Sequence, residues 1–224
     1  MSPFQAQKQD LPEVFPVFPL GGALLLPRGR LPLNIFEPRY LALIEDALAG
    51  GRLFGMIQPD TTRPAGRTGP ALFRVGCLGR IVAFSETDDG RYLVTLAGIS
   101  RFRLVAECTM QRGHRRVEAD FAPFGADLAD PTGSLADRAE LLIALRAYFT
   151  RRGFDANWEA IEKMSDQELV VTLCMVCPFD PPEKQALLEA ATEADRAATL
   201  LALLRIDLHE PPTADDAPPR GRAS

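Results

Sequence analysis

The chain has 224 residues, 46% hydrophobic and 25% charged, with a formal net charge of −5, which suits a globular protein whose core needs no disulfide or metal staple. The acidic balance excludes a long-range positive field of the kind that gathers nucleic acid without regard to sequence. No window reaches the roughly 18 apolar residues of a membrane span, and Met1 to Asp10 hold no apolar signal core. No membrane association is therefore expected and the location implied is cytoplasmic, where the four cysteines should be thiols.

Val14 to Leu20 reads as a strand of β-branched and aromatic residues, and Pro16 and Pro19 within it, which cannot donate to a ladder, place it at an edge. A glycine-proline corner follows, then a second apolar run, Leu31 to Phe36. At Glu37-Pro38 the period changes. Pro38 suits a first helical turn, Tyr40, Leu43, Ile44, Ala47 and Leu48 recur at spacings of three and four, and Gly50-Gly51 ends the helix. Leu53 to Gln58 is a short buried strand and Pro59 to Pro70 an exposed loop. Val75 to Ser85 and Arg91 to Ala97 form a hairpin around Asp88-Asp89-Gly90. Gly98 is expected to break the returning strand, with Arg101 to Glu107 a third strand and Val117, Ala119 and Phe121 alternating in a fourth. Residues 13–122 thus form a mainly β portion with one helix.

Pro123 to Gly133, poor in apolar residues, reads as a linker covering 123–133. Helices follow over 134–208. The first starts near Ser134 and Asp137 and ends at Arg151-Arg152-Gly153. Asp155 is the expected cap of a short helix over Trp158. Ser165 with Glu168 forms a capping box before an apolar helix ending at Cys177, and starts are read at Asp180-Pro181 and at Thr192 with Asp195. Residues 209–224, rich in Pro, Asp, Ala and Arg, are expected to be a disordered tail. The fold class is α+β.

Phe18-Pro-Leu20, Pro27 with Gly29, and Leu31-Pro-Leu-Asn-Ile-Phe-Glu-Pro-Arg-Tyr40 resemble the opening of the Lon protease amino-terminal, or substrate-binding, domain. Ser165 to Leu169, Glu183 to Glu189 and Arg196 extend the similarity, which covers roughly residues 13–208. The resemblance implies a PUA-like twisted β-barrel followed by a helical bundle. Its full-length proteases also carry a phosphate-binding loop and a Ser–Lys peptidase. Here Lys8, Lys163 and Lys184 are followed by Gln9, Met164 and Gln185, so no Gly-rich loop ends in Lys before Ser or Thr, and no segment matches the peptidase. The expectation is a chain that is not an enzyme and takes no cofactor, binding unfolded or extended polypeptide or a protein partner such as a protease. The alternative is an RNA-binding module using the barrel.

Cys174-Met-Val-Cys177 falls at the end of an apolar helix, the wrong end for amide dipoles to activate a thiol, and Cys77 and Cys108 lack paired spacing. The cysteines read as buried structural residues and no metal site is expected. His114 and His209 are assigned no catalytic or metal role. Arg112 to Arg116 is read as a charged edge strand in preference to an RNA-phosphate patch, since Glu118 and Asp120 follow and no aromatic residue is interleaved. The expected polypeptide-binding residues are Glu37 and Arg39 as a charged rim beside apolar Phe18, Leu33, Phe36 and Tyr40, with core packing the competing role for the apolar four.

Overall fold

The computed structural model describes residues 11–130, 135 and 137–209. Among these are six strands, six α-helices and one 3-10 helix. The chain divides into two compact units, one from residues 1–131 with 171–189 and the other from 132–170 with 190–224. Of the expected tail, 209–224, His209 is the last residue of a helix, and 210–224, like Ser134, lie outside the described residues.

In the first unit the strands are β1 (Val14–Pro19), β2 (Arg30–Ile35), β3 (Leu53–Ile57), β4 (Val75–Glu86), β5 (Tyr92–Gln111) and β6 (His114–Asp120). Their order is β2-β5-β4-β3-β1-β6, and β6 also pairs with β5, so the ladder returns on itself. Two expected edges are therefore not edges. β6 is flanked by β1 and by the far half of β5, and its charged residues do not blunt an open edge. β1 is flanked by β6 over Val14 to Val17 and by β3 over Val17 to Pro19. These two pairings overlap at Val17 alone. Each half of β1 is thus paired on one side, which is how a six-residue strand accommodates Pro16 and Pro19 inside a sheet.

Gly98 does not end a strand. β5 runs through it for twenty residues, with a register shift against β4 between Leu78 and Gly79. A Cβ on Gly98 would overlap the carbonyl oxygen of Leu26, so glycine is required because the corner chain lies against the strand there. Phe102 then fills the middle of the core. It packs edge-on to Phe15 at 5.0 Å between centroids and lies where a side chain on Gly76 would be.

Helix α1 (Pro38–Ala49) buries Tyr40, Leu43, Ile44 and Ala47, the stripe read from its spacing. Helix α5 (Pro181–Glu189) is fixed to the strands by polar contacts. Gln58 Nε2 donates to Pro181 O at 3.0 Å and Gln185 Oε1 at 3.1 Å, Gln185 Nε2 to Val75 O at 3.1 Å, and Lys184 Nζ to Gly22 O at 2.7 Å. In the passage expected as a linker, Ala122–Leu128 is the 3-10 helix. Its Asp127 takes the Arg101 guanidinium in two-pronged fashion at 2.9 Å, both side chains being buried, and Arg101 Nη1 also reaches Leu188 O.

The second unit holds α2 (Arg138–Arg152), α3 (Trp158–Lys163) and α6 (Glu193–His209), while α4 (Asp166–Val176) crosses the boundary between units. α2 ends at Gly153 in the left-handed region, φ 67°, as its sequence implied. The short helix α3 is capped by Asn157, whose Oδ1 accepts from Ala160 N at 3.1 Å, and not by Asp155. The expected capping box forms, Ser165 N donating to Glu168 Oε2 at 3.0 Å, and the start read at Thr192 has the same arrangement, Thr192 N donating to Asp195 Oδ2 at 3.1 Å.

Removing Asp127 leaves the Arg101 charge buried without its carboxylate, and breaking such a pair costs about 3–5 kcal/mol. Urea unfolding of Asp127→Ala is expected to show a loss of this size with an unchanged slope; a loss below about 1 kcal/mol, typical of an exposed pair, would contradict the role given to it.

Candidate functional site

The six residues expected to bind polypeptide all lie in the first unit, but they do not form one surface. At the start of α1, Tyr40 N and Leu41 N donate to Glu37 O, so Glu37 occupies the cap position, but its side chain makes no capping bond. It holds Arg39 instead, accepting from Nε at 2.9 Å and lying 2.8 Å from Nη2. The Arg39 guanidinium also covers the Tyr40 ring at 4.5 Å, and Phe18 of β1 packs against the same ring, 4.1 Å between centroids. Phe18 and Tyr40 are 7% exposed and Leu33 8%, whereas Phe36 is 63% exposed. Three of the four apolar residues are core, and Phe36 alone stands in solvent.

Beside Arg39 and Tyr40 lies a cavity of about 140 Å³ whose wall includes Pro19, Pro59, Pro70, Met110, His114 and Arg115. The hairpin from β5 to β6 supplies Met110, Gly113, His114 and Arg115 to this wall. Arg112 and Gly113 at its tip both have positive φ, 46° and 87°, and Gln111 pairs with His114, the backbone of a two-residue turn. Arg112 is tied to Glu45 at 2.5 Å and Asp46 at 2.8 Å on α1, and Arg115 to Glu107 at 2.6 Å. The basic run is thus largely paired with acids. His114 is buried, with Nε2 at 3.7 Å from Asp46 Oδ2 and Nδ1 without a hydrogen-bond partner. Burial lowers its pKa, with Asp46 opposing and Arg112 and Arg116 adding to the shift.

The second surface is a shallow groove of about 460 Å³ over β2, β4 and β5, lined by Pro32, Leu33, Asn34, Phe84, Leu93 and Thr95 among others. Among the described residues β2 pairs with β5 alone, which leaves its other edge unpaired. Phe84 and Leu93, each more than two-fifths exposed, were missed in the sequence. Both sit in a hairpin whose alternation reads as ordinary sheet. His114 was read as a residue of a polar strand entry without a catalytic or metal role; its burial beside Asp46 of α1 is announced by no local pattern. Among the described residues no group of three His, Cys, Asp or Glu side chains could hold a metal, and no helix is long and apolar enough to cross a membrane. Cys77, Cys174 and Cys177 are buried.

Sheet, helix α1 and the α5 strut define an α+β domain with two concavities on its β unit. Residues 14–205 match the model of the ATP-dependent protease La (LON) substrate-binding domain, and the chain belongs to that family. It is 33% identical to Lon protease 2 of Myxococcus xanthus over 101 residues, 44% of this chain and 12% of that protein. Against Lon protease of Flavobacterium johnsoniae it is 23% identical over 210 residues, 92% of this chain and 26% of that protein. The chain therefore spans a small part of these relatives' length. A Lon N-terminal domain protein from Xanthomonas campestris has the same fold, with TM-score 0.58 and 23% identity over 84% of this chain and 97% of that one. The N-terminal domain of the Mycobacterium avium complex Lon protease does so too, with TM-score 0.58 and 18% identity over 87% of this chain and 97% of that one.

A histidine whose pKa is lower folded than unfolded stabilises the fold above the unfolded value, 6.5. As pH falls below it, the unfolded chain takes up a proton first and stability is lost, until the folded pKa is reached. Denaturant titrations between pH 7.5 and 5 should therefore show a steeper fall for the wild type than for His114→Gln; parallel curves would mean that His114 titrates alike in both states.

Proposed function

We propose that this chain is a non-catalytic binding module that engages extended or unfolded polypeptide. It would act in the cytoplasm as an adaptor or substrate-recruiting factor in protein quality control, alone or with a partner such as a protease. The observation that carries this reading is the open edge of β2 beside an apolar groove with Phe84, Leu93 and the neighbouring Phe36 exposed. An extended chain can add main-chain hydrogen bonds to such an edge and lay alternate side chains in such a groove. Pro32 removes one donor from β2, which limits the length of edge another strand can use. Glu37 and Arg39 would form the charged rim at the start of α1, and membership of the substrate-binding family supports a polypeptide-binding module.

RNA binding is the second reading. It rests on the run from Arg112 to Arg116, but Arg112 and Arg115 are engaged by Glu45, Asp46 and Glu107, and for that reason we place it second. The two readings separate by salt, since phosphate contacts release counterions and exposed apolar contacts do not.

Fluorescence anisotropy with a carboxymethylated, permanently unfolded protein, without nucleotide, tests the proposal. Binding is expected to survive 0.5 M salt and to weaken about tenfold, or 1.4 kcal/mol, in a Phe36→Ala/Phe84→Ser variant whose exposed positions leave the fold intact. Absence of binding, or retention of single-stranded RNA that salt abolishes and Arg116→Ala weakens, would overturn it.

A further inference from the structure

The unpaired edge of β2 does not offer its backbone groups evenly. Gly98 N donates to Gly29 O at 2.9 Å, the bond that flanks the Arg30–Ala97 pair, so Arg30 itself exchanges no bond with β5. At the other end Thr87 N donates to Arg91 O at 2.9 Å, which flanks the Glu86–Tyr92 pair in the same way and turns the Tyr92 backbone towards Ile35. Alternation between these ends gives β5 the N–H and C=O groups of Leu31, Leu33 and Ile35, and leaves those of Arg30, Pro32 and Asn34 facing outward. Proline is tolerated at position 32 because its missing donor lies on the unpaired side. The edge thus presents the carbonyls of Arg30, Pro32 and Asn34 as acceptors and the amides of Arg30 and Asn34 as donors.

These residues also share one face of the sheet, and all of them are exposed. Beside them on β5 stand their partners Ala97, Thr95 and Leu93, so the face changes character along the strand. Around Pro32 and Asn34 it is the shallow groove, with Thr95 and Leu93 in its lining. At Arg30 it is cationic, since Ala97 separates Arg30 from Arg80 in the same cross-strand row. Arg80 donates to Gly51 O, and among the described residues neither arginine meets a carboxylate. The far end of the strand leads to Glu37, which Arg39 already neutralises. The unbalanced charge along β2 is therefore positive and sits at its start.

We propose that β2 selects an extended segment that runs antiparallel to it and reads apolar, any, apolar, any, acidic from its N-terminal end. The proposal rests on the polypeptide-binding reading and names the kind of segment that site takes. In this register the apolar side chains stand beside Asn34 and Pro32 and reach over them towards Leu93 and Thr95, while the carboxylate stands beside Arg30. Opposite charges facing each other across a ladder attract and like charges repel, so a lysine in the acidic place is disfavoured. Antiparallel pairing is slightly the more stable per residue, and each outward residue of β2 then exchanges its bonds with a single guest residue. Pro32 costs only one of those bonds.

The test compares labelled peptides on the full chain by anisotropy at low salt: a Val-Thr-Val-Thr-Glu core flanked by Gly and Ser, the same peptide with Lys in place of Glu, and the core in reversed order. Amide hydrogen exchange of the chain is followed with and without the first peptide. The Glu peptide is expected to bind about fivefold more tightly than either of the others, and Arg30→Glu, at an exposed position, should invert the order of the Glu and Lys peptides. Exchange at the Arg30 and Asn34 amides should slow on binding, while Leu31 and Leu33, already bonded to β5, should change little.

Equal affinity for the Glu and Lys peptides, a Glu preference that persists in Arg30→Glu, or equal binding of the reversed core would each overturn the proposal, and slowed exchange at Arg30 and Asn34 in those cases would leave polypeptide docking on β2 intact. Failure of every peptide to bind, where carboxymethylated protein does, would overturn docking along β2 and spare polypeptide binding itself. Failure of both would overturn both.

Discussion

The β unit depends on one strand being long enough, and bent enough, to serve three partners. β5 pairs with β2 and β4 over its first half and with β4 and then β6 over its second, and it passes the Leu26 corner at Gly98, where any side chain would collide with backbone. Everything near the candidate site follows from that course. The first half of β5 carries Leu93 into the groove and leaves β2 with an open edge, and its far end turns at Arg112-Gly113 to place His114 and Arg115 beside α1. A ladder that returns on itself has few open edges, and β2 keeps one of them among the described residues.

Polar contacts inside the first unit do for the helical segment what apolar packing does for the strands. Gln58, Lys184 and Gln185 are nearly buried, and their bonds run to backbone oxygens and to one another. Such a network, when fully satisfied, specifies one arrangement where an apolar face would allow several. Arg101 extends it by joining Asp127 and Leu188 O. It gives residues 171–189, which lie far along the chain, a defined place in the unit made by residues 1–131.

Much of this was legible in the sequence, for local reasons. Helix α1 was announced by Pro38 and by the spacing of Tyr40, Leu43, Ile44 and Ala47, and α4 and α6 by their capping boxes. The failures were of a different kind. Prolines placed β1 at an edge because a sequence shows that a donor is missing, not that the strand's two halves are paired on opposite sides. Gly98 read as a break because the backbone that crowds it is seventy residues away. Of the candidate site, the sequence with its resemblance offered Glu37 and Arg39 as a charged rim, but not their pairing with each other. The apolar residues could not be sorted into core and surface, since Phe18 and Phe36 have the same chemistry and differ in what packs on them. The burial of His114 needed α1 and the β5–β6 turn together.

The central claim is that polypeptide docks on the open face of the β unit. Backbone amide NMR of the chain titrated with an unfolded, unlabelled polypeptide, without nucleotide, tests it most directly. The account predicts saturable shifts concentrated along β2, at Phe36, and at Phe84 and Leu93. Shifts confined to α2, α3 and α6, or none at saturating polypeptide, would contradict it.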